Sequence, residues 1–348
     1  MATIYAIKGL LLEEVLLQLL RASGYYAVEN ANGDSSLNSR NSGSLEVRGR
    51  GSKHQIDAIA DFSVSPPFSY PIRLLLEAKF YKNNVGIEIV RNAVGVLKDV
   101  SEFWIVDDSS FKPRYHYQYA IFTSSSFTKS AQEYAFAQDV YLIKLENNRY
   151  FYPVIRAIEE LNHADFRGVS EDNIDIDLTQ LRRATRSSLG NYRLYEMREY
   201  CTDYNFNSVK ICNVIESSLK IGTSYLGVLG NSFPIFFTPS DNFDINDLIN
   251  DPTIRICWNQ EKWYVVKRHA RCVTLDERDI ILSFDLPDEL FKLYSDNNML
   301  TKSRALDLKQ DFMSSIKIMF RDPNRRFMSS LELRLDNNWL EEMRQSLS

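Results

Sequence analysis

Residues 72–81 read IRLLLEAKFY, the segment of the first half of the chain with the clearest strand pattern. The run over 72–76 is apolar on both faces, which is typical of a central strand covered on both sides. Glu77 and Lys79 end the strand two positions apart, so their side chains point to the same face. The stretch therefore predicts a central strand that presents a carboxylate and an ammonium group together.

A second carboxylate lies on the preceding segment. Residues 55–64, QIDAIADFSV, alternate between apolar and polar and predict a strand that starts near Asp57. The connector SPPFSYP at 65–71 holds three prolines, which do not occur inside a sheet. If the two strands pair as a hairpin, Asp57 approaches Glu77.

Two carboxylates at one point form a hard oxygen site suited to Mg²⁺ or Mn²⁺. Such an ion polarises a phosphodiester oxygen and lowers the pKa of a bound water. Lys79 could orient that water or help to deprotonate it, and could stabilise negative charge in the transition state. The spacing D-x(n)-E-x-K is a weak signal by itself, because most chains of this length contain one by chance.

A third acidic residue lies near the N-terminus. Residues 9–22 predict a helix, with Leu residues at helical spacing. Glu13 shares the apolar face and points towards the core, whereas Glu14 is predicted to be solvated. An inward carboxylate is costly unless it is paired or bound to metal, although Glu13 could also lie at the edge of the apolar stripe.

Two neighbours of Asp57 are candidates for contact with the substrate. Gln55 shares a face with Asp57 on an unbroken strand, so we expect it near the metal. His54 could contact a phosphate, but a supporting role at the strand start is favoured. Asp61 lies further along the same face and is predicted to be solvated.

A basic loop precedes this strand. Arg50 and Lys53 lie among glycines in the segment GRGSK at 49–53. They could touch DNA phosphates, or they could form an ordinary solvated loop. Both interpretations remain open at this point.

The rest of the first half extends the pattern. Residues 30–44 predict a loop. Helices at 86–101 and 128–136 alternate with strands at 117–124 and 140–145. The order is helix, strand, strand, helix, strand, helix, strand, which predicts an α/β domain with a mixed central sheet flanked by helices.

Composition shifts divide the chain. Residues 163–192 are polar and charged, so we expect a domain at 1–165, a linker at 166–192 and a second domain at 193–348. The second domain is predicted to be α+β, of unassigned fold. Its strand-like runs are VKICNVI, YLGVL, PIFFTP, IRICW, KWYVVKR and IILSFDL, and its helical runs lie at 287–296, 303–319 and 338–346.

Overall composition narrows the class of protein. The chain of 348 residues is 44% hydrophobic and 25% charged, with a net charge of -5 and a pI near 5.6. It reads as soluble, and no run of about eighteen apolar residues predicts a membrane span. The acidic balance argues against tight non-specific coating of DNA. Four widely spaced cysteines disfavour a structural zinc site and suit a reducing cytoplasm.

Four blocks in order resemble the Mrr-like branch of the PD-(D/E)xK restriction endonuclease family. They are LEEVLLQLLRASGYYAV at 12–28, GRGSKHQIDAIADF at 49–62, LLLEAKFYKNNVGIEIV at 74–90 and YAIFTSSSFTKSAQEYAFAQDVYLIKL at 119–145. The family's acidic helix residue falls on Glu13, its Asp on Asp57, and its E-x-K pair on Glu77 and Lys79. Ser126 stands where relatives often have Gly.

The resemblance implies a restriction-endonuclease-like fold and a metal-dependent DNA endonuclease acting in restriction or anti-phage defence. It implies Mg²⁺, or Mn²⁺, held by Asp57 and Glu77, with DNA as partner and a homodimer or a defence-system protein as further possibilities. Two alternatives remain. One is a nuclease that is silent until a partner or ligand engages the second domain, and the other is a fold that binds nucleic acid without cleaving it.

Overall fold

The structure is a computed structural model with two compact units, residues 1–222 and 223–348. It describes residues 2–40, 44–65, 67–81, 83–103, 114–145, 151–166, 168–170, 172–191, 194–219, 225–230, 233–241, 243–259, 262–286, 291, 294–295, 300–321 and 328–346. Within these residues, no helix is long and apolar enough to cross a membrane.

The first unit combines strands with helices. In chain order its elements are α1 (Ile4–Ala22), β1 (Tyr25–Ala27), β2 (Leu37–Ser39), β3 (Leu45–Arg48), β4 (Lys53–Ile56), β5 (Ala58–Phe62), β6 (Ile72–Lys79), α2 (Ile87–Ser101), β7 (His116–Thr123), α3 (Lys129–Ala137), β8 (Val140–Lys144), α4 (Phe151–Glu159), β9 (Gly168–Ser170), β10 (Asn173–Ile174), α5 (Leu178–Asn191), α6 (Tyr195–Asp203) and α7 (Ser208–Leu219).

A five-stranded mixed sheet lies at the centre, in the order β1-β5-β6-β7-β8. β1, β5 and β6 are antiparallel, whereas β6, β7 and β8 are parallel and are connected through α2 and α3. The face bearing Ile59, Leu75 and Ile121 packs against these two helices. The predicted α/β class, with a mixed sheet flanked by helices and a covered central strand at 72–79, is confirmed.

The predicted strand over 55–64 is in fact two strands in different sheets. β4 pairs with β3 in a separate three-stranded sheet, β2-β3-β4, whereas β5 pairs with β1 and β6. The break falls at Asp57, which belongs to neither strand. The predicted loop at 30–44 also contributes β2 to the smaller sheet.

Helix α1 is apolar around most of its circumference and is buried accordingly. It begins at Thr3, whose side-chain oxygen accepts a hydrogen bond from the backbone N–H of Ala6 at 3.1 Å. It contacts β1, β5 and β6 as well as α4 and α5. Because α5 covers the remaining face, Glu14 is 1% exposed, and the prediction that it is solvated is wrong.

The division between the units differs from the predicted boundaries. The segment predicted as a linker contains α5, which contacts α1, and the first unit continues to residue 222. VKICNVI, predicted as a strand, lies in α7. Its buried Ile211, Val214 and Ile215 recur at helical spacing, and this spacing prevails over their β-branched character.

The second unit is built on a closed barrel of seven strands among the described residues, in the order β11-β12-β15-β14-β13-β17-β16. Its elements are β11 (Tyr225–Leu229), β12 (Phe233–Pro239), α8 (Ile245–Asn250), β13 (Thr253–Trp258), β14 (Trp263–Lys267), β15 (Ile280–Phe284), α9 (Lys302–Phe312), β16 (Ser315–Arg321), β17 (Met328–Leu335) and α10 (Asn337–Gln345).

An apolar core fills the barrel, which includes Phe237, Val265 and Leu333. The predicted helix at 303–319 is correct only as far as Phe312, since β16 follows it. The predicted helix at 287–296 lies mostly outside the described residues. The fold of this unit remains unassigned.

Two of the four cysteines are joined. Cys257 and Cys272 form a disulfide with a Cα–Cα distance of 5.1 Å, whereas Cys201 and Cys212 are free and buried. The expectation of isolated cysteines is therefore wrong for this pair. The two cysteines are 15 residues apart in sequence, and the turn after β14 brings them into contact.

Candidate active site

Asp57 and Glu77 meet where β5 begins and β6 ends. The antiparallel register pairs Ala58 with Leu76, so the next residues outward are these two acids. The Asp57 carboxylate accepts a hydrogen bond from the backbone N–H of Ala78 at 2.9 Å. That bond ties the residue at the strand break to the end of the central strand.

Lys79 and Tyr119 both contact the Glu77 carboxylate. The Lys79 ammonium lies 2.5 Å from one oxygen, and the Tyr119 hydroxyl donates to the other at 2.9 Å. Tyr119 is buried on β7, the parallel neighbour of β6. Glu77 is thus held on both sides by side chains from the central sheet.

Burial and mutual repulsion shape the charges at this point. Burial raises the pKa of Asp57, and the charge of Glu77 adds to the effect, while the Ala78 N–H and Lys79 oppose it. Burial opposes the charged form of Lys79, yet its pKa is raised because attraction to Glu77 and Asp57 outweighs burial. Lys79 is therefore held as an ammonium ion beside the two carboxylates.

Glu13 joins this group from helix α1. Burial raises its pKa to about 7, against the attraction of Arg182, and the negative charge of Asp57 raises it further. An Nη2–Oε2 distance of 2.7 Å joins Arg182 to Glu13. The structure thus brings together Glu13, Asp57, Glu77 and Lys79, the four residues with predicted catalytic roles.

The sequence analysis missed Arg182 and Arg186, because the segment that carries them was predicted to be a linker. Both lie on α5 and contact Glu14, at 2.8 Å in each case. The two arginines are four positions apart, so they share one face of a helix, but the sequence does not show which residues that face contacts.

Gln55 and His54 lie apart from these carboxylates. Gln55 is exposed on β4 and hydrogen-bonds to Arg40, because the chain changes sheets at Asp57 and the expected shared face does not form. His54 contacts Asp99 of α2, with an Nε2–Oδ2 distance of 2.7 Å. Its contact is the supporting kind that the sequence favoured.

The basic loop is attached to α2 through Asp99. The backbone N–H groups of Gly51 and Ser52 donate to its carboxylate at 2.8 and 3.2 Å. A Cβ at Gly49 would lie 1.9 Å from the same carboxylate, so a larger residue there would displace Asp99 from these hydrogen bonds. Arg50 is exposed and pairs with Glu102 at 3.1 Å, and Lys53 is exposed on β4.

Asp61 is not solvated as predicted. It receives two hydrogen bonds from the Arg73 guanidinium, at 2.7 and 2.8 Å. Arg73 is only 2% exposed, and it also pairs with Asp34 and stacks on Tyr115. The prediction failed because Arg73 lies opposite Asp61 in the β5–β6 register, on the strand that was taken as apolar on both faces.

The donor set suits a hard cation, since Asp57 and Glu77 offer carboxylate oxygens that repel one another. Both carboxylates already have protein partners: the Ala78 N–H for Asp57, and Lys79 and Tyr119 for Glu77. Within the described part of the chain, no cluster of three His, Cys, Asp or Glu side chains is arranged to hold a metal ion. Asp57 and Glu77 are the two carboxylates that this site offers to an ion, since Glu13 is paired with Arg182 and does not complete a cage with them.

Comparisons with known proteins found one family model and one solved structure that match the chain. Residues 4–147 match the family Mrr_cat, described as a restriction endonuclease. This part of the chain is therefore similar to restriction endonuclease domains of the Mrr type. A solved structure titled as a protein of unknown function, AF1548, is 18% identical, covers 61% of this chain and 97% of its own, and has a TM-score of 0.34. No curated protein matches the chain.

Proposed function

We propose that the restriction-endonuclease-like domain makes this chain a Mg²⁺-dependent endonuclease that hydrolyses phosphodiester bonds of DNA. The observation that carries the proposal is the β5–β6 register. It sets Asp57 beside Glu77, with Lys79 paired to Glu77 from the same strand. Those three residues stand at the positions where the sequence resembles the catalytic motif of the family.

Asp57 and Glu77 would hold Mg²⁺, or Mn²⁺ in its place, through their carboxylate oxygens. Such an ion, when bound, polarises a phosphodiester oxygen and lowers the pKa of its water. The Lys79 ammonium would stabilise the charge that develops on the phosphate. Tyr119 holds the second oxygen of Glu77 and so limits the rotation of that carboxylate.

The biological setting is part of the proposal. Restriction or anti-phage defence follows from the type of domain, with DNA as the partner and with a homodimer or a defence-system protein as further partners. A cytoplasmic location is proposed on the same ground, without support from the cysteines, two of which are joined. The unit at 223–348 would recognise DNA, a partner or a signal.

The test is cleavage by the full-length protein. Supercoiled plasmid, linear duplex DNA, single-stranded DNA and RNA are each incubated with Mg²⁺, Mn²⁺ or EDTA. The proposal expects cleavage of the DNA substrates with either metal and none in EDTA. It also expects loss of cleavage in Glu77→Gln but not in Glu133→Gln, a control on α3 whose side chain is 66% exposed.

Three results would count against the proposal. Cleavage that persists in EDTA would contradict the metal dependence, and cleavage of RNA alone would contradict the substrate. No cleavage under any condition would favour a nuclease that is silent until a partner engages residues 223–348. With retained DNA binding, it would favour a non-cleaving binding module.

A further inference from the structure

Arg182 links the helix that follows the nuclease domain to the carboxylates of the candidate site. It lies on α5, beyond the residues 4–147 that match the family. Its Nη2 is 2.7 Å from Glu13 Oε2, and its Nη1 is 2.8 Å from Glu14 Oε1. One guanidinium therefore sets the position of two neighbouring glutamates on α1.

Glu13 is the glutamate of this pair that links Arg182 to the site. Helix α1 packs against β5 and β6, the strands that meet at Asp57 and Glu77. The negative charge of Asp57 raises the pKa of Glu13, and the positive charge of Arg182 lowers that of Asp57. Arg182 is thus the cation that offsets the repulsion between the α1 acid and the acids of the sheet. Lys79 has the corresponding role for Glu77.

Arg186 provides a second, independent contact between α5 and α1. Its Nε and Nη2 donate to the two oxygens of Glu14 at 2.9 and 2.8 Å, and its Nη1 lies 3.5 Å from Glu29. It has no contact with Glu13 among those that the structure describes. Glu14 therefore keeps a bidentate partner when Arg182 is replaced, and α5 remains attached to α1.

The Arg182 guanidinium is also incompletely bonded. Its Nε is buried and has no hydrogen-bond partner among the described residues. Only its two terminal nitrogens are used, one for each glutamate. These two hydrogen bonds fix the orientation of the planar guanidinium, and the guanidinium in turn fixes the orientation of the Glu13 carboxylate.

We propose that Arg182 is a positioning residue of the nuclease site, which acts through Glu13 by holding its carboxylate in place beside Asp57. The inference rests on the proposed function, and it adds a residue from outside the family domain to that site. Loss of a partner that orients a carboxylate at a metal site costs about 10–100-fold in metal affinity or activity.

The experiment compares full-length variants by two readouts, Mn²⁺ binding by calorimetry and the rate of plasmid nicking. The variants are Arg182→Gln, Glu13→Gln, the double variant Glu13→Gln/Arg182→Gln, and two controls on the same helix, Arg183→Gln and Arg186→Gln. Arg183 is exposed, so its replacement should match the parent. The melting temperature of each variant measures any loss of structure.

We expect Arg182→Gln to weaken Mn²⁺ binding and to slow nicking by about tenfold or more. Arg186→Gln should lower the melting temperature at least as much as Arg182→Gln does. Its Mn²⁺ affinity, however, should stay within about twofold of that of the parent. In the Glu13→Gln background, Arg182→Gln should change Mn²⁺ affinity and nicking by much less than tenfold, because the hydrogen bond that it removes acts through Glu13.

Two results would overturn the inference alone. One is an Arg182→Gln variant that melts lower but binds Mn²⁺ and nicks DNA like the parent, which would make Arg182 a structural contact. The other is a double variant whose losses multiply. If the parent binds Mn²⁺ but does not nick DNA, the Mn²⁺ affinities of the variants test the inference by themselves. If the parent neither binds Mn²⁺ nor nicks DNA, the proposed function and the inference are both contradicted.

Discussion

Lys309 and Arg73 are two buried cations with opposite surroundings. Arg73 has two carboxylates and an aromatic ring around it. Lys309, buried on α9, lies 5.0 and 5.8 Å from the rings of Trp339 and Trp263, with no ion pair among the described residues. Burial lowers its pKa to about 8. Attraction to the indole rings offsets only part of the free energy that the ammonium group loses when it leaves water.

Replacing Lys309 by Met should therefore stabilise the second unit. A lysine pKa lowered from 10.5 to about 8 corresponds to about 3 kcal/mol against the charged form. We expect a gain of about 1–3 kcal/mol in the free energy of unfolding at pH 7, measured by urea denaturation. Lys302→Met, at an exposed position of the same helix, is the control and should change little.

The lowered pKa of Lys309 also predicts how the free energy of unfolding changes with pH. The folded pKa lies below the unfolded one, so the unfolded state binds more protons between pH 8 and 10.5 and the parent gains stability as the pH rises through that window. The gain from Lys309→Met should shrink across the same window. A gain that stays constant from pH 7 to 10, or a variant less stable than the parent at pH 7, would show that Lys309 is not an unpaired buried charge.

The residues of the site differ in how far the sequence could identify them. Asp57, Glu77 and Lys79 could be found because a hairpin register and a two-residue strand spacing are local rules. The position of Gln55 could not be found, because the sheet change at Asp57 depends on pairing with β3. Arg182 could not be found either, since its partner Glu13 is 169 residues away in sequence.

At the scale of elements, α5 carries the main difference between sequence and structure. Its charged residues suggested a solvated linker, yet Arg182 and Arg186 point at buried acids of α1. An apolar helix such as α1 does predict that something must cover it. What the composition could not reveal is that a polar helix does so, through ion pairs rather than through an apolar stripe.

This arrangement predicts where the first unit can be cut. A fragment of residues 1–165 lacks α5 to α7, so it leaves Glu14 without its two arginines and exposes one face of α1. Loss of partners from a buried charge costs about 3–5 kcal/mol. We expect this fragment to be unfolded or to melt well below a fragment of residues 1–222, measured by circular dichroism. Equal melting temperatures would contradict the assignment of α5 to this unit.

At the scale of the whole molecule, the two units each have a core of their own. In the second unit the barrel strands were foreseeable in part, since YLGVL, PIFFTP, IRICW, KWYVVKR and IILSFDL all form strands. Closure of the barrel was not foreseeable, because the parallel pairing of β13 with β17 joins segments far apart in sequence.

The disulfide predicts a difference between the units. Cys257 and Cys272 close a loop with a sequence separation of 15, for which the chain-entropy model gives about 3 kcal/mol. A reductant should therefore lower the melting temperature of residues 223–348 expressed alone and leave that of residues 1–222 unchanged. Equal effects on both fragments, or none on the barrel, would contradict a stabilising role for this bond.

We propose that Asp57, Glu77 and Lys79, where β5 begins and β6 ends, hydrolyse DNA. The most direct measurement is the rate of nicking of supercoiled plasmid at saturating Mn²⁺, for the parent, Lys79→Ala and Lys129→Ala. Lys129 is a matched control, with its side chain 77% exposed on α3. We predict nicking by the parent and by Lys129→Ala, and a loss of about a hundredfold or more in Lys79→Ala. A Lys79→Ala protein that nicks as fast as the parent would contradict a catalytic role for Lys79 and for the site that it belongs to.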